Sequence, residues 1–242
     1  MSCAGLATGI GGAGVLVLRR PSPRLLDAML GFTAGIMLAA LAFSLLVPAF
    51  EDGSLWQVLV GFALGGALIA AADRWLPHLH ARFAEQDPTT GALVTSRRRA
   101  ALILAAMTIH NFPEGMAVGT AFAAGGSELG VPLALAIGLQ NVPEGFAAAA
   151  PLVAAGMGRG RAALFGLATG LVEPVAAFAS FWALDLVTGV LPIALAFAAA
   201  AMLYVVVDEL IPESHARGNV RIASLSLLAG FALMMALDNA IA

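Results

Sequence analysis

Eight apolar runs, most of them long enough to cross a lipid bilayer, take up nearly all of this 242-residue chain. They cover approximately 2–18, 25–50, 54–76, 99–123, 130–155, 160–187, 190–211 and 219–241. Hydrophobic residues make up 60% of the chain and charged residues 11%, and the mean hydropathy is +0.93, which excludes an ordinary soluble domain. The connections are short apart from 77–98, a polar stretch holding His78, His80, Glu85 and Asp87. No composition shift marks a second domain, so residues 1–242 are expected to form one all-α integral membrane bundle. The first run lacks the basic start and cleavage site of a secretory signal and is read as a span. Cys3 is the single cysteine, which rules out an internal disulfide and a thiolate cluster.

Charge sets the expected orientation. All 12 basic residues are arginines, and each lies at an odd-numbered connection. Arg19, Arg20 and Arg24 follow the first run, Arg74, Arg82, Arg97, Arg98 and Arg99 flank the third loop, Arg159 and Arg161 follow the fifth, and Arg217 and Arg221 follow the seventh. The even connections and the C-terminus carry acids only: Glu51, Asp52, Glu128, Asp185 and Asp238. The positive-inside rule then puts the odd loops in the cytoplasm and both termini outside. The net charge of −3 says little about partners in such a chain.

Within this apolar frame one phrase occurs twice, His110-Asn111-Phe112-Pro113-Glu114-Gly115 and Gln140-Asn141-Val142-Pro143-Glu144-Gly145. Carboxylates at lipid depth are costly, and two of them beside His, Gln and Asn imply a function. Each proline is expected to kink its helix and to free a carbonyl four residues earlier, that of Ile109 or Leu139. Counting from Arg99, a rise of about 1.5 Å per residue puts His110 and Glu114 roughly 17 to 23 Å along a path of about 30 Å. The fifth run descends from Gly130 and brings Gln140 and Glu144 to a similar depth from the other side. Repetition on consecutive antiparallel helices suggests an inverted repeat with a midplane site. Glu173, followed by Pro174 in the sixth run, falls near the same depth.

Spacing decides what can converge. His110 and Glu114 are four residues apart and share a face, as do Gln140 and Glu144, while Asn111 and Asn141 each precede the same glutamate by three. A cation between Glu114 and Glu144 is thus within reach of His110 and Gln140 on one side and of Asn111, Asn141 and Glu173 on the other. Imidazole, carboxylate and amide donors without thiolate suit Zn²⁺, Fe²⁺, Mn²⁺ or Cd²⁺ better than Cu⁺. A structural ion pair would explain the acids more simply, but no Arg or Lys falls at midplane depth to supply it.

His-Asn-x-Pro-Glu-Gly on a fourth helix, its echo on a fifth, Glu-Pro on a sixth and eight spans with both termini outside resemble the ZIP family of divalent metal transporters, particularly its bacterial members. The resemblance covers essentially the whole chain. It implies transport of a divalent metal substrate, with Zn²⁺ first and Cd²⁺, Fe²⁺ or Mn²⁺ as alternatives, toward the cytoplasm through a midplane site. It also implies a multi-pass protein of the bacterial cytoplasmic membrane, a homodimer in contact with lipid, and neither an organic cofactor nor a nucleic-acid partner. The matching positions are His110, Asn111, Glu114, Gln140, Asn141, Glu144 and Glu173. Asp27-Ala28-Met29-Leu30-Gly31-Phe32, leading to Met37 and Ser44, resembles the family's second helix. There Met37 would add a thioether to the site and Ser44 would line the outer approach.

Two positions depart from the pattern. Many members carry His where this chain has Gln140, and some carry Asp where it has Asn141. Three carboxylates do not balance two divalent ions, so the expectation is one well-filled position that includes His110 and a weaker second one.

Other polar residues fit a path for the ion or a plain structural role. Asp208 and Glu209, near the inner end of the seventh run, are an exit relay or an interfacial turn. Asp27 takes part in release or complements a helix N-terminus. His78 and His80 bind metal transiently or are simply solvated. Asp238 attracts cations to the entrance beside Ser44. Met37 is a ligand or core filler. Abundant Gly and Ala, as in Gly61-Phe62-Ala63-Leu64-Gly65-Gly66, permit close helix approach, and the motif helices are read as a unit moving against a scaffold. An intramembrane metalloenzyme is disfavoured, since neither His-Glu-x-x-His nor paired Glu-x-x-His is present. The remaining alternative is a proton-coupled carrier or channel for another cation.

Overall fold

A computed structural model describes residues 2–18, 22–75, 96–154, 156–186 and 189–241. Within these residues all regular structure is helical. We label the helices α1 (Ser2–Val17), α2 (Pro23–Asp52), α3 (Leu55–Trp75), α4 (Ser96–Ala154), α5 (Arg159–Gly170), α6 (Val172–Leu186), α7 (Leu191–His215) and α8 (Val220–Ile241). Among them 6 stretches are long and apolar enough to cross a membrane, and Ala4–Val17 is a shorter apolar helix. The chain is a multi-pass helical membrane protein.

Helix starts and breaks follow local chemistry. At the start of α2, the Ser22 side chain accepts a bond from the Leu25 amide and Pro23 occupies the first turn, where its missing N–H is harmless. The fourth and fifth apolar runs form one helical stretch whose non-helical residues are Gly125 and Gly126, the latter at φ 58°, where a side chain would be strained. The stretch folds back there into two arms, 96–124 and 127–154. Pro113 and Pro143 remain in helical φ/ψ, so the helix runs on through the doubled phrase while each proline, lacking an N–H, leaves the carbonyl of Ile109 or Leu139 without its helical donor. The sixth run, read as one helix, is instead split at Leu171 into α5 and α6. Pro174 has no N–H to offer the carbonyl of Gly170, and Glu173 therefore sits in a helix's first turn rather than at its centre.

Prolines also explain two π-helical turns. Ala40–Leu46 in α2 is followed by Pro48, and Val206–Leu210 in α7 by Pro212. Each proline removes one donor, and the ladder widens just ahead of it. Ser44 lies in the first of these turns, Asp208 and Glu209 in the second.

Glycines sort the helices into two groups. Against the second arm of α4, a Cβ at Gly11 would lie 2.0 Å from the Val142 carbonyl oxygen, and one at Gly145 would lie 1.9 Å from that of Thr8. Gly5 and Gly170 meet across α1 and α5, while Gly115 and Gly119 of the first arm meet the backbone of α6. Thus α1, α4, α5 and α6 lock backbone to backbone. In the second group α2 and α8 meet at Gly31, Gly35 and Gly230, and α3 meets α7 at Gly61 and Gly65. The seam between the groups is side-chain packing: Met37 and Leu41 of α2, Leu195, Ala199 and Met202 of α7, and Ala117, Leu133 and Ile137 of α4 share one buried apolar cluster.

Candidate metal centre

The doubled phrase lies where the two arms of α4 face each other. His110, Asn111, Glu114, Gln140, Asn141 and Glu144 are all buried, as is Glu173 beside them. One ligand atom from each of His110, Glu114 and Glu144 can be chosen so that all lie within 4.8 Å of one another. Gln140 Nε2 donates to Glu114 Oε1 at 2.5 Å, tying the arms together. His110 Nε2 stands 3.5 Å from Glu144 Oε1, beyond ordinary hydrogen-bond length.

Beside this triad is a second group. Asn141 Nδ2 donates to both carboxylate oxygens of Glu173, at 2.9 and 2.8 Å, and to the Ala4 carbonyl at 2.9 Å. Thr8 Oγ1 donates to Glu173 Oε1 at 3.1 Å. Asn111 is fully buried, and neither atom of its side-chain amide has a partner.

The electrostatics of the pocket are lopsided. Glu114 Oε2, both oxygens of Glu144, Gln140 Oε1, Asn141 Oδ1 and Asn111 Oδ1 are buried acceptors without donors, and His110 Nε2 also lacks a partner. Buried polar atoms are normally paired, and a buried charge without compensation is expensive. So many orphan oxygens in one place are what a divalent cation can satisfy in a single step. Zn²⁺-type coordination needs imidazole and carboxylate donors at roughly 2.0–2.2 Å, which small side-chain rotations around the triad can supply.

Two further residues outside the phrases, Glu209 and Thr33, reach the pocket. Glu209 Oε2, from the π turn of α7, lies 3.3 Å from His110 Nδ1, so Glu209 adjoins the centre. Thr33 Oγ1 of α2 donates to the Gln140 carbonyl at 3.4 Å. Thr8, Thr33 and the Ala4 carbonyl were not legible as site residues. Lone hydroxyls on apolar, glycine-rich helices carry no pattern, although the prolines after both π turns do signal freed backbone there.

The remaining candidate residues are placed as follows. Met37 is fully buried within the main apolar cluster. Ser44 Oγ donates to Asp238 Oδ1 at 2.8 Å, joining α2 to α8. Asp27, fully buried, accepts from Arg217 Nη1 at 3.0 Å, from Asn219 Nδ2 at 2.9 Å and from the Asn219 amide at 3.4 Å. Arg217 also pairs with Glu213. Both Asp27 oxygens are therefore engaged by residues just before α8. Asp208 is partly buried in the same turn as Glu209. His78 and His80 lie outside the described residues.

A helical membrane protein with a buried cluster of His, Glu, Asn and Gln belongs to the class that handles cations within the bilayer. Comparison with known proteins narrows this. The family model described as "ZIP Zinc transporter" matches residues 78–238. "Zinc transporter GufA" of Myxococcus xanthus is 42% identical, with 97% of this chain and 94% of that protein covered. "Zinc transporter ZIPB" of Bordetella bronchiseptica is 41% identical (97% and 78% covered), and "Zinc transporter ZIP11" of Homo sapiens is 36% identical (96% and 93% covered). This chain belongs to the ZIP zinc transporter family. The relatives are named as transporters, not as enzymes.

Proposed function

We propose that this protein carries divalent transition metal ions, Zn²⁺ foremost, across the bacterial cytoplasmic membrane toward the cytoplasm, and that the ion binds at His110, Glu114 and Glu144. The observation that carries this reading is the concentration of buried, donorless oxygens around that triad, with no Arg or Lys side chain among them. Relatives named as zinc transporters support it.

In this reading Gln140 stands on the His110 side, Asn111, Asn141 and Glu173 form a second, weaker cation position that shares Glu114 and Glu144, and Met37 stands by as a soft donor. Asp208 and Glu209 receive the ion as it leaves, while Ser44 and Asp238 line its entrance. Gln140, a neutral oxygen donor, leaves selectivity open to Cd²⁺, Fe²⁺ and Mn²⁺.

Counting the stretch Met107–Val153 twice, once for each arm, and Ala4–Val17 once supports eight spans with both termini on one side, which the arginine asymmetry assigns to the outside. A straight helix of 47 residues would be about 70 Å long, more than twice the hydrocarbon thickness. The opposed arms, each bearing the phrase, support an inverted repeat. The two glycine-locked groups support an elevator-like motion in which α1, α4, α5 and α6 carry the site past α2, α3, α7 and α8. The mainly apolar seam supports sliding once the polar contacts that cross it, Thr33 to the Gln140 carbonyl and His110 to Glu209, are broken. The whole chain acts as one transporter domain, as a homodimer.

The test is uptake into proteoliposomes of Zn²⁺, Cd²⁺, Fe²⁺ and Mn²⁺ by the native protein and by His110→Ala and Glu144→Ala. Saturable uptake lost in both variants is expected. If folded, inserted native protein moves none of these metals, the reading fails, and a proton-linked carrier takes its place.

A further inference from the structure

Helix α1 carries none of the motif residues, yet it forms the back wall of the Glu173 side of the pocket. Two of its groups, one helical turn apart, do this. The Ala4 carbonyl accepts one N–H of the Asn141 amide, and the Thr8 hydroxyl donates to Glu173 Oε1. The second N–H of Asn141 is shared by both Glu173 oxygens.

Each bond has a consequence for the ligand it holds. With acceptors on one side, the Asn141 amide must turn its nitrogen toward α1, which leaves Oδ1 facing away, buried and donorless. Glu173 is held asymmetrically, with Oε1 receiving both Thr8 and Asn141 and Oε2 receiving Asn141 alone. The amide nitrogen sits between the two oxygens, on the face that a bidentate cation would need. Glu173 is thereby limited to binding through one oxygen, and Oε2 is the freer one.

Packing keeps Thr8 in place. A Cβ at Gly145 would lie 1.9 Å from its carbonyl oxygen and one at Gly170 would lie 2.7 Å from its Cβ. Thr8 thus has glycine on two sides, and its hydroxyl has little freedom to point elsewhere. Outer partners of this kind orient metal ligands and commonly govern affinity.

We propose that Thr8 is a positioning residue of the transport site: its hydroxyl aims Glu173, as the Ala4 carbonyl aims Asn141, so that α1 sets how tightly the Glu173 side holds a divalent cation. This rests on the metal-transport reading given above. Thr8 acts through Glu173 and does not touch the ion itself.

The experiment is a double-mutant cycle on the full chain, measuring Cd²⁺ affinity by equilibrium binding and KM against maximal rate for Cd²⁺ uptake in proteoliposomes. Thr8→Val, nearly the same shape without the hydroxyl, is expected to weaken Cd²⁺ affinity and raise KM about tenfold. Thr8→Ser, which keeps the hydroxyl, should stay within about twofold of native, and Thr8→Val should add less than about twofold in a Glu173→Ala background, where no acceptor is left for the hydroxyl. Thr8→Ala serves the same comparison where the valine does not insert. An equal loss in both backgrounds would mean that Thr8 acts by packing alone and would overturn the proposal. So would native affinity in both hydroxyl-free variants. Native protein that neither binds nor moves Cd²⁺ would overturn the transport reading itself, a failure separate from the one seen when only the variants disagree.

Discussion

His110 Nδ1 lies 3.3 Å from Glu209 Oε2, across the seam between the two glycine-locked groups of helices. The imidazole thus faces Glu144 with one nitrogen and a carboxylate of the opposing group with the other. In the proposed mechanism the contact belongs to one conformation and must break when the site moves.

Glu209→Ala tests this. The variant keeps the triad of His110, Glu114 and Glu144, so equilibrium affinity for Cd²⁺ should change less than about threefold, while maximal uptake falls about tenfold, equivalent to about 1.4 kcal/mol. The reason is a shift of population away from the conformation that the contact favours. Binding and uptake measured on one preparation separate the two. A loss of affinity as large as the loss of rate would make Glu209 a ligand instead.

Glu144→Gln should trade function for stability. Both Glu144 oxygens are buried without donors, close to Glu114, and a neutral amide relieves that burden. In metal-free detergent solution the variant is expected to melt a few degrees above the native protein, a gain of about 1–3 kcal/mol. Zn²⁺ should raise the native melting temperature and leave that of the variant unchanged. A variant that melts below native protein in chelator would show that the carboxylate is already satisfied.

The Asp27–Arg217 contact gives a purely structural expectation. Arg217→Ala leaves a buried carboxylate with Asn219 alone, and the arginine is partly exposed, so the loss is about 1–2 kcal/mol, below that of a fully buried pair. Melting in detergent should fall by a few degrees, with KM for metal uptake unchanged. A raised KM at native stability would return Asp27 to the release path.

Glycine packing is checked with a matched pair. At Gly35 a Cβ would stand 1.9 Å from the Leu227 carbonyl oxygen, whereas at Gly66 nothing lies within 4 Å. Gly35→Ala should destabilise by about 1–3 kcal/mol, because rigid backbone cannot give way. Gly66→Ala should be neutral or gain up to about 1 kcal/mol from helix propensity. Size-exclusion profiles and melting curves of both variants read the difference.

Legibility followed the range of the interactions involved. The membrane class, the positions of most helices and the convergence of His110, Glu114, Gln140 and Glu144 rest on local periodicity, and were readable from it. Glu173 was recognised from its proline. The break that puts Glu173 in a first turn was missed, because an apolar run hides whether a proline bends or divides it. Asp27 was read as either a release group or a helix-end residue. Its partners are Arg217 and Asn219, nearly two hundred residues away in sequence, which no local pattern could announce.

The chain by itself determined that it must be helical, that it lies in a membrane, and that one polar phrase recurs on consecutive apolar segments. Hydropathy, charge asymmetry and four-residue spacing act within single segments, and so they are written locally. Tertiary structure alone decided that Glu209 reaches His110, that α1 backs Glu173 through Thr8, and that glycines lock α1, α4, α5 and α6 backbone to backbone. Those relationships depend on which helix faces meet. In an apolar bundle nearly every face is hydrophobic, so only close packing of the whole chain selects among them.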